Sequence, residues 1–119
     1  MALLLLGASA VFAAHHTAEE RGKTLFNDST LGSGTSGMHC GTCHPDGKGL
    51  EGVAGKSTWK TPVGSFTSLE AAINSCVTAA LKGKELDPKS REMQDVVSYI
   101  KTLGSKDPPV RKKKPPIGC

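Results

Sequence analysis

A chain of 119 residues with only five aromatics has room for one domain and too few large side chains to fill an extensive core by itself. Its net charge of +4 resides in Lys106 and Arg111–Lys114, offset by Asp107, so residues 1–105 are close to neutral and no nucleic-acid partner is expected. The initial apolar run is too short to span a bilayer.

Met1 to Ala14 reads as a secretory leader. Leu3–Leu6, Val11 and Phe12 supply the apolar stretch, and Val11 and Ala13 suit the −3 and −1 positions of a cleavage site before Ala14. No Lys or Arg precedes the run, so a few upstream residues are expected to be missing, and an uncleaved anchor or a buried N-terminal helix is the alternative. The expected compartment is periplasmic or an equivalent extracytoplasmic space. Thr17 and Glu20 then form a capping box that opens a helix from about Ala18 to Phe26. Gly22 and Phe26 share one face of it, where a second helix can approach at the glycine and pack on the ring. Asn27 to Met38 is a Gly/Ser/Thr-rich loop.

The loop leads into Cys40-Gly41-Thr42-Cys43-His44, the C-x-x-C-H attachment signature of a c-type haem. Two thiols at this spacing reach the two vinyl groups of one haem, and the next imidazole falls under the iron. Cys40 and Cys43 are therefore the expected thioether positions and His44 the proximal ligand. A thioredoxin-like pair needs a surrounding βαβ pattern, and a zinc site needs a second ligand pair downstream; the sequence has neither. A covalent porphyrin also explains how a body of roughly 90 residues with few aromatics completes its core.

Downstream of a glycine-rich stretch from Pro45 to Gly55, Trp59, Pro62, Val63 and Phe66 are expected to wall the haem. Thr67 and Glu70 form a second capping box. The helix it opens bears Leu69, Ala72, Ile73, Cys76 and Ala80 on one stripe, with Gly83 ending it. A last helix starts near Asp87 and Pro88 or near Ser90. It buries Met93, Val96, Val97, Ile100 and Leu103, with Gly104 at the C-terminal cap. The proline-rich basic remainder has the composition of an extended tail. The expected organisation is thus a leader at 1–13, a domain at 17–104 and a tail at 105–119. Its class is all-α, a small cytochrome c fold with three main helices packed around one covalent haem c.

The second iron ligand decides the chemistry. Met38 and His39 adjoin the attachment turn and are held away from the opposite haem face. His15 and His16 lie near the mature N-terminus. Met93 is in phase with Val96, Val97 and Ile100 and reads first as core, leaving it the fallback ligand. Cys76 lies on the stripe that a middle helix would turn toward the iron; a small buried apolar residue, or a disulfide to Cys119, are its other readings.

The stretch Ile73-Asn74-Ser75-Cys76, followed by Gly83-Lys84-Glu85-Leu86, Ser90-Arg91-Glu92-Met93 and Ser98-Tyr99-Ile100-Lys101, resembles the N-terminal haem domain of thiosulfate dehydrogenases. It is also similar to the gas-binding haem proteins called SHP and to the small cytochromes of the NaxLS complex, which its size and single haem motif fit best. The resemblance implies that Cys76 ligates the iron. It implies as well a heterodimer with another small cytochrome c, besides redox partner proteins. The arginine that thiosulfate dehydrogenases carry near the cysteine is replaced around Val77, Thr78 and Ala79, so an electron carrier is expected rather than an enzyme. A thiolate ligand favours ferric iron and lowers the potential, and its release on reduction opens a site for nitric oxide or carbon monoxide. The alternative function is a subunit of a sulfur-oxidising enzyme.

Overall fold

The computed structural model describes residues 15–104, so the expected leader and tail lie outside the described residues. Four α-helices and one short hairpin follow in order: α1 (Ala18–Phe26), α2 (Cys40–Cys43), β1 (Trp59–Thr61), β2 (Gly64–Phe66), α3 (Leu69–Ala79) and α4 (Arg91–Thr102). Three single 3₁₀ turns interrupt the connections, at Leu31–Ser33, Pro45–Gly47 and Val53–Gly55. Among the described residues no helix is long and apolar enough to cross a membrane.

The expected capping box starts α1. The Glu20 amide donates to Thr17 Oγ1 at 3.2 Å, and the Thr17 amide donates back to Glu20 Oε2 at 2.9 Å. Gly22 then lets α1 lie directly on α4. A Cβ at that position would overlap the Asp95 carbonyl oxygen and come within 2.8 Å of the Tyr99 Cβ. One turn on, the Phe26 ring meets Tyr99 edge-on, with centroids 5.1 Å apart. Burial of that ring contributes roughly 2–3 kcal/mol, and Arg21 clamps the same interface by donating to both carboxylate oxygens of Asp95 at 2.7 and 2.8 Å.

The core lies between this pair and α3. Leu69, Ile73 and Val77 of α3, with Leu31, Leu81 and Leu86 from the connections, pack against Met93, Val96, Val97 and Ile100 of α4. The buried face of α3 is centred on Leu69, Ile73 and Val77, so Cys76 sits at its edge, half-buried.

Several element boundaries differ from the sequence expectation. The cap of α3 is Ser68, whose hydroxyl accepts from the Ala71 amide at 3.1 Å, and not Thr67: the residue that holds extended backbone before the first turn takes the role. That helix stops at Ala79, and Lys82 rather than Gly83 adopts left-handed backbone. The Gly83 amide returns to the Val77 carbonyl at 3.0 Å, and Gly83 is small for another reason: a Cβ there would lie 2.6 Å from the Gly32 carbonyl oxygen. The last helix begins after Ser90, the later of the two starts expected, and Ser90 accepts from the Met93 amide, whereas Gly104 follows the helix without the positive φ of a glycine cap. The β1–β2 hairpin, with Trp59 opposite Phe66 and Thr61 opposite Gly64, was not expected. Its three-residue strands are too short to show alternation, and Pro62-Val63 is not a hairpin turn signature.

Asn74 stitches α3 to the connection before α4. Its side-chain amide donates to the Leu86 carbonyl at 2.8 Å and its carbonyl accepts the Leu86 amide at 2.9 Å, closing the pairing that a neighbouring strand would supply.

Candidate functional site

Cys40 and Cys43 occupy the single turn of α2 and stand three apart, which puts both thiols on one side of it. The turn is set by the His39 carbonyl, which accepts from the Thr42 amide at 2.9 Å, and by Thr42 Oγ1, which accepts from the His39 amide at 3.0 Å. Gly41 allows α2 to rest on the end of α1, because a Cβ there would overlap Asn27 Oδ1.

His44 ends that turn, and its Nδ1 lies 3.0 Å from the Lys48 carbonyl oxygen. A carbonyl only accepts, so Nδ1 carries the hydrogen and Nε2 keeps its lone pair for a metal. The Lys48 carbonyl is presented by a turn in which Asp46 and Gly47 both take positive φ. Gly47 packs on the Leu103 side chain at the end of α4, and the Gly52 amide donates to the Leu103 carbonyl at 2.8 Å. The imidazole is thus oriented by a loop that is itself pinned to the terminal helix.

Cys76, far along the chain on α3, comes into the same electrostatic neighbourhood. Burial first, and then the proximity of Cys76 and Cys43, push the Cys40 thiol up to about 11. Burial likewise raises the Cys76 thiol, with the adjacent Ser75 hydroxyl opposing the shift and Cys43 adding to it. All three cysteines are free thiols in the structure. Among the described residues no three His, Cys, Asp or Glu side chains converge as a bare metal ion requires. An attachment turn, one imidazole with a free Nε2, a further thiol and a half-buried apolar fringe of Leu50, Val53, Ala54 and Leu103 fit a covalent porphyrin and not a zinc cage.

The other candidates are dispersed. Met93 is 0% exposed, enclosed by the core. Met38 and His39 are half-buried beside α2, and His39 Nδ1 is buried without a partner. His15 and His16 are exposed, and the His16 carbonyl accepts from Arg21. Cys119 lies outside the described residues. The residues expected to wall the haem lie in two places. Trp59 packs on the core and donates its indole N–H to the Val53 carbonyl at 2.8 Å. Val63 is 57% exposed and lines, with Phe66, Ala71, Asn74, Ser75 and Thr78, a groove on the side of α3 turned away from Cys76. The hairpin, invisible in the sequence, carries those two side chains there. Nothing in the sequence points to the Lys48 carbonyl or to the role of Asn74. Backbone acceptors leave no residue signature, although Asn74 stands in the Ile73–Cys76 stretch that carries the resemblance.

Residues 21–110 match the family described as "SoxA/TsdA, cytochrome c domain". The chain belongs to the SoxA/TsdA cytochrome c family. Its fold is the small all-α cytochrome c fold, and the cofactor of this SoxA/TsdA domain is covalent haem c. The fold is also found in the crystal structure of SoxXA from P. pantotrophus, with a TM-score of 0.60 and 22% sequence identity over 79% of this chain. The chain spans 38% of the solved SoxXA chain that it matches. No curated protein matches the sequence.

Proposed function

We propose that this SoxA/TsdA-type domain transfers single electrons through one haem c attached at Cys40 and Cys43, with His44 and Cys76 as axial ligands, in an extracytoplasmic sulfur-oxidising assembly. The domain comprises residues 17–104, between a leader at 1–13 and a basic tail at 105–119. When bound, the haem supplies a one-electron couple whose potential a thiolate lowers, and a reduced iron at which nitric oxide or carbon monoxide competes with the Cys76 sulfur.

The observation that carries the ligand assignment is the contrast between Cys76 and Met93. Cys76 is partly accessible and interacts electrostatically with Cys40 and Cys43, whereas Met93 has no accessible surface. The chain's own residues would then do three things. The Lys48 carbonyl fixes the His44 tautomer, the edge position on α3 directs Cys76 outward from the core, and burial keeps its thiol protonated until a metal takes the sulfur.

Sulfur chemistry is supported by the family match and by the likeness of Ile73–Lys101 to thiosulfate dehydrogenases. The absence of an arginine at Val77, Thr78 and Ala79, where those enzymes carry one, favours an electron-relay role beside a second cytochrome over turnover by this chain alone. In the holoprotein, Cys76→Ala should abolish the low-spin thiolate features of the ferric spectrum while Met93→Leu leaves them intact. The reverse pattern would return the ligand role to Met93. The isolated chain should not sustain thiosulfate oxidation with an artificial acceptor; steady turnover would make it an enzyme.

A further inference from the structure

The loop that leads into the attachment turn is tied to the far end of α3. The Thr35 and Ser36 amides both donate to the Leu81 carbonyl, at 2.8 and 3.1 Å, and the Lys84 amide donates to the Gly32 carbonyl at 2.6 Å. The Thr35 hydroxyl adds a bond to the Lys82 carbonyl at 3.2 Å. Two irregular segments, 32–36 and 80–84, thus form a strap. Small residues let it close: a Cβ at Gly34 would lie 3.1 Å from the Leu81 carbonyl oxygen, and one at Gly83 would lie 2.6 Å from that of Gly32.

Ser36 is the residue of this strap that reaches toward both sides of the centre. Its hydroxyl donates to the Ala80 carbonyl at 2.7 Å and accepts from the Met38 amide at 3.2 Å. Ala80 closes the last turn of α3, where its amide donates to the Cys76 carbonyl at 2.9 Å, and Met38 stands two residues before Cys40. A continuous row of hydrogen bonds therefore runs from Cys76 through Ala80 and Ser36 to the residues that enter α2. Along the chain Cys76 is 36 residues from Cys40, yet Ser36 is only four before Cys40 and Ala80 only four after Cys76. A short closed path leaves its ends much less freedom than a long one. Core packing at Leu69, Ile73 and Val77 holds the body of α3, while the strap joins its last turn to the segment that carries the attachment cysteines.

We propose that Ser36 is a positioning residue for the centre: by joining the last turn of α3 to the approach to Cys40, it holds the Cys76 sulfur within reach of the iron and so disfavours entry of an outside ligand. The inference rests on ligation by Cys76 and deepens it, since a sulfur held near its place loses less freedom on binding than one on an unrestrained turn.

The probe is cyanide, titrated into the ferric holoprotein and followed by its absorption spectrum. Cyanide binds only where the sulfur has left, so its apparent affinity scales with the fraction of iron free of Cys76. Ser36→Ala should keep the thiolate spectrum before cyanide is added and tighten cyanide binding about threefold, the effect of losing one exposed neutral hydrogen bond. Ser36→Thr, which keeps the hydroxyl, should restore the original affinity. Thr17→Ala, which weakens the cap of α1 instead, should lower the melting temperature and leave cyanide binding as it was. An unchanged or weaker affinity in Ser36→Ala overturns the inference, and so does an equal tightening in Thr17→Ala, which would assign the effect to general loosening of the fold. Cys76→Ala separates this inference from the ligation: thiolate features that survive the substitution remove both, whereas their loss, beside an unmoved Ser36→Ala affinity, removes this inference alone.

Discussion

The α1–α4 pair and the connection between α1 and α3 are ordered by different means. The pair closes on a glycine contact, an aromatic edge and a two-pronged ion pair, all made by side chains at helical spacing. The connection has little regular structure. It changes direction through left-handed residues at Gly32, Ser33, Gly37, Asp46, Gly47, Gly49 and Gly52, and a hairpin of two three-residue strands follows. Yet the connection carries Cys40, Cys43 and His44. The helix pair supplies the frame, and the loop holds its shape by leaning on that frame at Leu103. A cofactor attached there covalently adds to the loop a packing partner that its own sequence lacks.

Breaking the frame should have the largest effect. Gly22→Val forces a side chain into the Asp95 carbonyl and Tyr99, and should destabilise the holoprotein by about 3 kcal/mol or more in a urea melt. A melt unchanged within error would mean that α1 and α4 do not touch at this point. Breaking only the loop should cost less. Gly47→Ala meets a left-handed backbone and the flexible tip of Leu103, for a loss of about 1–2 kcal/mol. Hydrogen exchange should then speed up at the Lys48, Leu50 and Gly52 amides while the α4 amides stay protected. Equal acceleration in both regions would erase the distinction between frame and loop.

The smallest effect should appear in acid. The hydrogen bonds from Arg21 hold the Asp95 carboxyl below its ordinary value of 3.8, against an opposing push from burial. A folded pKa below the unfolded one means that the ion pair's contribution is full above the unfolded value and is lost as the pH falls through the folded one. Asp28, held low by Thr30, contributes to the same limb. Asp95→Asn should therefore lower stability at neutral pH and flatten its decline below about pH 4, measured as melts across that range. A decline as steep as that of the unaltered protein would assign the acid limb to other carboxylates.

The attachment motif, the capping box at Thr17, the glycine face of α1 and the apolar face of α4 were all legible from the sequence, because each depends on residues at most a few turns apart. The stop of α3 was legible only approximately: Gly83 marked its neighbourhood, but the glycine answers to the Gly32 carbonyl across the molecule, and Lys82 takes the left-handed position. The hairpin, the placement of Val63 and Phe66 away from Cys76, the Lys48 carbonyl behind His44 and the pairing of Asn74 with Leu86 were decided by tertiary structure. Periodicity and spacing record what a residue needs from its near neighbours along the chain. Which distant backbone group or hydroxyl completes a hydrogen bond is fixed only when the helices dock, since those partners are common to many residue types and leave no mark in the sequence.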